Sequence, residues 1–361
     1  MASICNRSLD FSLNSSIINS APSLRFALVG CGRIGQVHAR EIRRVGQLAA
    51  VCDVVAEKMD TVVGNDPVPK YLSITDLLLS ENDIDLVVIA TPNGLHAQQS
   101  IEALRAGKHV LCEKPMSIRV NDAINMVSAA KDSGKQLVVV KQNRYNPPVR
   151  ELKQLLALGK LGKISSVQVN ACWNRNKAYY ANSDWRGSKA LDGGTLYTQF
   201  SHFVDLMIWL FGDLKRVKGF RSNANHQGVI EFEDQGVVAL QFESGILGTL
   251  HYTVNAYEQN LEGSITVFGE NGTVKVGGAY LNEMSYLKAE GVEEVDEVEA
   301  SSEVVGPNLY PGYQGSMSNH PMVYDDLVRL IHGEPTLLPL PEEGLRTVAA
   351  IENIYNSVDV I

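Results

Sequence analysis

Lys114 and His202 are the two residues of this sequence whose type and surroundings best suit proton transfer at neutral pH. Histidine titrates there already, and a lysine reaches that range when it is partly desolvated beside another positive charge. Lys114 lies between Glu113 and Pro115 at the end of an apolar run, where a side chain is held rather than free. His202 lies in the stretch from Leu191 to Asp205, with Thr198 four residues before it and Asp205 three after. On a helix that spacing puts three polar side chains on one face. Leu196, Phe200, Phe203, Met207 and Leu210 recur at helical intervals behind Asp192, so the pattern predicts one buried helix with Asp192 as its N-cap. Such a group could complete a nicotinamide site, provided that the rest of the chain supplies one. The same residues would also suit a satisfied core histidine between two caps, so the rest of the chain decides.

A site for that cofactor is legible upstream. The strand Arg25–Val29 leads into Gly30-Cys31-Gly32-Arg33-Ile34-Gly35 and then a helix to about Val45. This strand–turn–helix setting is what gives a dinucleotide fingerprint its meaning. Gly30 permits the turn, Gly32 lets the backbone approach a pyrophosphate, and Gly35 lets helix and strand pack closely. Arg33 and Ile34 open the helix, whose free N–H groups and positive dipole end suit phosphates. The second strand, Leu48–Asp53, ends on an acid 18 residues beyond Gly35. Asp53 is placed to accept hydrogen bonds from ribose hydroxyls and to repel a 2′-phosphate, and no arginine follows it directly; NAD is therefore expected rather than NADP.

These residues must be carried by a scaffold, and its periodicity is clear. Helix Ile74–Ser80, strand Asp85–Ala90, helix His96–Ala106, strand Lys108–Cys112, helix Val120–Ser133 and strand Gln136–Val140 continue the alternation. The expectation is an α/β doubly wound parallel sheet of the Rossmann type over residues 23–145. Ligands sit beyond the carboxyl ends of such strands, where Thr91, Pro92, Asn93, His96, Glu113, Lys114, Gln142 and Asn143 fall. From about residue 146 the pattern changes. A helix (Val149–Leu158), a strand (Ile164–Trp173) and a loop (Asn174–Lys189) precede the central helix. Strand-like runs follow at Val217–Arg221, Val229–Glu233, Val237–Phe242, Leu247–Val254, Ser264–Phe268 and Thr273–Val276. With hairpin turns at Glu243–Gly245 and Gly269–Gly272 and two late helices, Met322–Ile331 and Glu343–Tyr355, this predicts an α+β domain with a large, mostly antiparallel sheet over residues 146–361. Residues 1–22, rich in Ser and Asn, read as a loose extension, and the acidic run Glu290–Glu303 as a solvated strand or loop.

Composition removes several function classes. With 32 Lys+Arg against 41 Asp+Glu, the net charge is −9 and no basic run tracks a phosphate backbone, so nucleic acid is not expected as a partner. No continuous apolar stretch is long enough to span a bilayer. The five cysteines are scattered, with no CxxC pair or His/Cys cluster at ligand spacing, so no metal is expected and the cytoplasm is the expected compartment.

With these motifs in view, the chain resembles the glucose–fructose oxidoreductase/inositol dehydrogenase (Gfo/Idh/MocA) family from about Leu24 to its C-terminus. The resemblance rests on Gly30–Gly35, on Glu113-Lys114-Pro115 and on the glycine-rich stretch ending in His202 and Asp205. It implies hydride transfer between NAD(P) and a sugar or cyclitol carbon, with Lys114 and His202 catalytic. The family often carries an acid one turn before the histidine, where this chain has Thr198 followed by Gln199. Within the family the chain is similar to the bacterial UDP-N-acetylglucosaminuronate 3-dehydrogenases at Val139–Arg144, Tyr179-Tyr180, Trp185-Arg186-Gly187, Asn260–Ile265 and Gly269–Val274. That branch implies oxidation of the sugar C3 hydroxyl to a ketone, which an aminotransferase then consumes in surface-polysaccharide (lipopolysaccharide) sugar synthesis. It also implies a homo-oligomer, most simply a tetramer.

For a substrate with a carboxylate and two phosphates, Arg144, Arg175 and Arg186 are candidate partners, because guanidinium binds such oxyanions bidentately. Asn143, Tyr179, Thr198, Gln199 and Asp205 are candidate sugar contacts, Tyr180 and Trp185 can wall the sugar or uridine, and Trp185-Arg186 can reach the cofactor. Two other readings stand beside this one. One is a family enzyme acting on a free sugar or cyclitol, either as a dehydrogenase or as an NAD-recycling glycosidase; the other is a non-catalytic NAD(H)-binding regulator.

Overall fold

The computed structural model describes residues 23–292, 306–310 and 313–361. The N-terminal extension and residues 293–303 of the acidic run lie outside the described residues. Strands β1 (Arg25–Val29), β2 (Gln47–Cys52), β3 (Lys70–Tyr71), β4 (Leu86–Ile89), β5 (His109–Cys112) and β6 (Leu137–Val139) form one sheet in the order β3-β2-β1-β4-β5-β6, every pair parallel. The order reverses between β1 and β4, which makes their carboxyl ends the switch point where such sheets bind ligands. The helices α1 (Arg33–Val45), α2 (Ala56–Val63), α3 (Ile74–Ser80), α4 (His96–Arg105) and α5 (Val120–Ser133) connect the strands. Both faces of β1 are buried, Phe26 and Leu28 in one core and Ala27 and Val29 in the other, as a central parallel strand requires.

The second half opens with α6 (Pro147–Ala157), whose prolines occupy the first turn, where a missing N–H costs nothing. Strand β7 (Ile164–Cys172) then enters a larger sheet. Helices α7 (Lys177–Ala181), α8 (Thr195–Thr198) and α9 (Ser201–Phe211) precede β8 (Leu214–Ser222), β9 (Gln235–Phe242), β10 (Leu247–Thr253), β11 (Glu262–Gly269), β12 (Gly272–Gly277) and β13 (Glu283–Ala289). A small pair, β14 (Pro307–Tyr310) and β15 (Tyr313–Met317), leads to α10 (His320–Ile331), α11 (Pro341–Ser357) and β16 (Asp359–Val360). The large sheet runs β13-β12-β11-β7-β10-β9-β8-β16, antiparallel except at β7–β10 and β8–β16. Its residues alternate: Val238, Leu240, Leu250 and Tyr252 face the core, while Val237, Leu247 and His251 face solvent.

Three expectations are corrected. The run Val229–Glu233 is irregular rather than a strand, because it wraps the loop after α7, with Glu231 N–H on the Gly187 carbonyl. The stretch after Asp192 is two helices broken at Gln199-Phe200, not one. Asp192 is not the N-cap: Gly194 takes that position, and the carboxylate of Asp192 turns to other partners. Helix α9 is buried over most of its surface because it is enclosed. Trp173 packs on Phe200 and Phe203 with ring centroids 5.4 and 5.7 Å apart, and Phe200 meets Tyr252 at 6.0 Å. Helix α10 returns to the first sheet and places Val323, Tyr324 and Leu327 in the core beneath Phe26 and Leu28.

Candidate active site

The glycine turn fits a dinucleotide. Gly30 has φ +96°, and a Cβ there would lie 2.5 Å from the Ala90 carbonyl carbon. Above Gly32 there is open space, and α1 begins there with no side-chain cap and no acid in its first turn. Arg33 and Ile34 therefore start a helix whose free N–H groups face that space. Asp53, half-exposed at the end of β2, is pinned by the N–H groups of Cys31 (2.7 Å) and Val55 (2.9 Å). Across the switch point, the turn Thr91–Gly94 abuts the loop before α8: Gly94 N–H donates to Leu191 O at 2.9 Å, and Asn93 Nδ2 to Asp192 O at 2.8 Å. Trp185 and Arg186 lie in that loop, half-buried, with the Arg186 guanidinium 4.3 Å from the Tyr179 ring centroid. His96 is turned away from this surface. It is 1% exposed, and its two ring nitrogens lie 2.8 Å from the carbonyls of Pro115 and Thr91, so it braces the two turns.

Lys114 follows β5 and is half-buried, its peptide bond to Pro115 cis. Its Nζ donates to the Thr198 carbonyl at 2.9 Å. Burial lowers its pKa, as do the nearby cations Arg175 and Lys141, against the opposing pull of Glu113 and Asp192. His202, 3% exposed, has Nε2 3.2 Å from the Gln142 amide nitrogen, which also donates to Ser316 Oγ at 3.1 Å. Burial and the positive charges of Lys114 and Lys141 hold His202 well below its ordinary value, so the ring is neutral at pH 7. Next to Gln142, Asn143 is 2% exposed and neither of its amide atoms has a hydrogen-bond partner. An unpaired buried amide costs stability, which a polar ligand would repay.

Thr198, His202 and Asp205 do not act as one face. The Thr198 hydroxyl donates to the Asp192 carboxylate and accepts from Asn93 Nδ2 at 2.6 Å. Asp205 is the hub of a buried ion network: Arg144 Nε and Nη2 reach its two oxygens at 2.8 and 2.9 Å, Lys141 Nζ lies at 3.1 Å, and Thr347 Oγ1 donates at 3.0 Å. The two cations hold Asp205 well below the usual carboxylate range despite its burial. Arg144 completes the network through Nη1 to Glu343 at 2.6 Å, so each of its three nitrogens already holds a carboxylate. Arg144 and Asp205, expected as substrate contacts, hold each other in a network that joins α9, α11 and the turn after β6. Arg175, Gln199 and Tyr179 form a second chain, Nε to Oε1 at 2.7 Å and Nε2 to the phenol oxygen at 2.8 Å. Tyr180 packs edge-on against Tyr179 at 5.0 Å.

Sequence reading missed the residues around Glu113. His38 on α1 and His320 on α10 place Nε2 atoms 3.0 and 3.4 Å from one Glu113 oxygen, and the Tyr324 hydroxyl lies 2.8 Å from His38 Nδ1. Burial alone would raise the Glu113 pKa, but hydrogen bonds from His320 and His38 hold it well below normal. Among the described residues this trio is the one His/Glu group whose ligand-type atoms lie within 4.8 Å of one another. Its members come from three distant segments, so no local spacing could reveal it; the two Nε2 atoms share one Glu113 oxygen, while His320 Nδ1 is buried without a hydrogen-bond partner.

The comparisons with known proteins agree with the two-domain fold. Residues 24–141 match the oxidoreductase-family NAD-binding Rossmann fold and residues 153–359 the oxidoreductase-family C-terminal alpha/beta domain (GFO_IDH_MocA). The WlbA dehydrogenase from Chromobacterium violaceum, solved with NADH and UDP-GlcNAcA, is 37% identical with a TM-score of 0.83, over 94% of this chain and 96% of that one. The WlbA dehydrogenase from Bordetella pertussis, with the same two ligands, is 35% identical with a TM-score of 0.81, over 93% and 96%. Inositol 2-dehydrogenase 3 of Saccharopolyspora erythraea is 28% identical over 70% of this chain and 73% of its own length. The chain is a NAD-dependent dehydrogenase that belongs to the Gfo/Idh/MocA oxidoreductase family.

Proposed function

We propose that this dehydrogenase oxidises the C3 hydroxyl of UDP-N-acetylglucosaminuronate to the 3-keto sugar nucleotide, a step that serves surface-polysaccharide sugar synthesis. The observation that carries the proposal is the likeness, at 35–37% identity over nearly the whole chain, to two dehydrogenases solved with that sugar nucleotide. Bound NAD supplies the hydride acceptor. Lys114 takes the hydroxyl proton, because burial and neighbouring cations bring its amine toward the working range. His202, already neutral and pushed down, is the poorer proton acceptor and orients the reacting oxygen. The unpartnered amide of Asn143 meets the sugar.

A second reading, a free cyclitol as substrate, is favoured by the 28% identity to an inositol 2-dehydrogenase. Comparing turnover of the UDP-sugar with that of myo-inositol and free glucuronate separates the two, and preference for the free polyol would overturn the first. We also propose a homo-oligomer. Phe220, Val237 and Leu247 are each more than half exposed on the solvent face of the large sheet, with Phe220 directly opposite Val237. Such a patch suits a second copy of the chain.

A further inference from the structure

We propose that Asp192 is a positioning carboxylate of the Lys114 site, acting through Thr198 to hold the lysine and balance its charge. The inference rests on the reading of Lys114 as the proton acceptor. Asp192 is 1% exposed. Its Oδ2 accepts the Gly187 N–H at 2.8 Å, and its other oxygen accepts the Thr198 hydroxyl. A carboxylate so buried, held by the backbone N–H groups of Gly187 and Gly194 and by one hydroxyl, is expensive to keep charged. Burial raises it to about 6, against the pull of Thr198, Gly187 and Arg186. It nonetheless ionises at neutral pH. The residue that fixes its position, Thr198, is the one whose carbonyl accepts from Lys114 Nζ at 2.9 Å.

The charges around the lysine make that ionisation useful. Lys114 faces Arg175 from the segment after β7, Lys141 from the end of β6 and the neutral His202 from α9. Of the nearby anions, Asp205 is neutralised by Lys141 and Arg144, and Glu113 is bound to two histidines. Asp192, which faces Arg186 and Tyr180 from its own loop, is the further carboxylate felt by Lys114. Through Gly187 it also ties the Trp185–Gly187 segment to the same lysine.

The test reads the lysine directly. Reductive methylation of Lys114 by formaldehyde and cyanoborohydride, followed by peptide mass spectrometry from pH 6 to 10, reports its neutral fraction without any turnover. In Asp192→Asn the midpoint is expected to fall by roughly half a pH unit or more, less than the 1–3 units of a direct ion pair. The limb of the kcat/KM profile should move the same way, and Thr198→Ser should restore the wild-type curve where Thr198→Val does not. Should Asp192→Asn fail to fold, Thr198→Val carries the test alone, with a smaller shift in the same direction. An unmoved midpoint in the folded variants would make Asp192 a mere loop anchor. A shifted midpoint in an enzyme that turns over no sugar would instead leave this inference standing and overturn the assigned function.

Discussion

At the scale of the residue, type and placement pointed to Lys114 and His202 as candidates for proton transfer but not to their partners. Lys114 and His202 were legible because a lysine before a proline at a strand end and a histidine on an apolar helix are unusual placements. Replacing either by alanine is expected to lower kcat by about 10²–10⁴-fold, the usual contribution of a positioned acid or base, with NAD affinity by fluorescence titration retained. Near-normal turnover in both variants would reject the site. Asp205 has the right spacing for the site, but its carboxylate lies in a buried ion network with Lys141, Arg144 and Glu343, which no local pattern connects to it. Asp205→Asn leaves two buried cations short of a countercharge, so it should cost about 3–5 kcal/mol in denaturant unfolding. Unchanged stability with lost substrate affinity would return Asp205 to the substrate. Because oxidation needs the neutral amine, the rate should rise with pH through the lowered pKa of Lys114 and level off above it.

At the scale of the element, the break between α8 and α9 is what aims the site. Two glycines lead into α8: Gly193 at φ +90° against Ile118, and Gly194, its N-cap, at φ +141° under the Tyr355 hydroxyl. The periodicity of Leu196, Phe200 and Phe203 runs through the break at Gln199-Phe200 and so concealed it, while the paired glycines marked only where α8 begins. Gly194→Ala introduces both backbone strain and a clash with Tyr355, and a loss of roughly 1–3 kcal/mol or more is expected in thermal unfolding. The same tyrosine donates to Glu233 at 2.7 Å and accepts from Leu196 N–H at 3.0 Å. Burial raises Glu233 to about 7. A carboxylate whose folded pKa exceeds its unfolded value binds more protons when folded, so its stabilising contribution is lost as pH rises from about 4.5 to 7. Glu233→Gln escapes that loss, and its melting temperature relative to wild type should improve from pH 5 to pH 8. A difference independent of pH would show that Glu233 does not titrate in this window.

At the scale of the molecule, local alternation was enough to place the parallel sheet, since each strand and its helix are neighbours in sequence. The strands of the second sheet were found mostly by turn signals and alternation, but their order, with β7 at the centre beside β11 and β10, depends on long-range pairing that no window reveals. The same holds for α10, which crosses back to bury Tyr324 beside Phe26, ring centroids 6.2 Å apart, and to deliver His320 to Glu113. Its amphipathic pattern was readable; its destination was not. Among the described residues no helix is long and apolar enough to cross a membrane. If the large sheet pairs with a second copy, light scattering should give a multiple of the chain mass, and Val237→Asp should shift it toward the monomer; a wild-type monomer would contradict the pairing. The central claim is tested most directly by measuring NADH and ketone formation from UDP-N-acetylglucosaminuronate, with and without 2-oxoglutarate to reoxidise retained cofactor. The account predicts 3-keto sugar nucleotide in at least one of the two conditions, whereas no product in either, from enzyme that binds NAD, would contradict it.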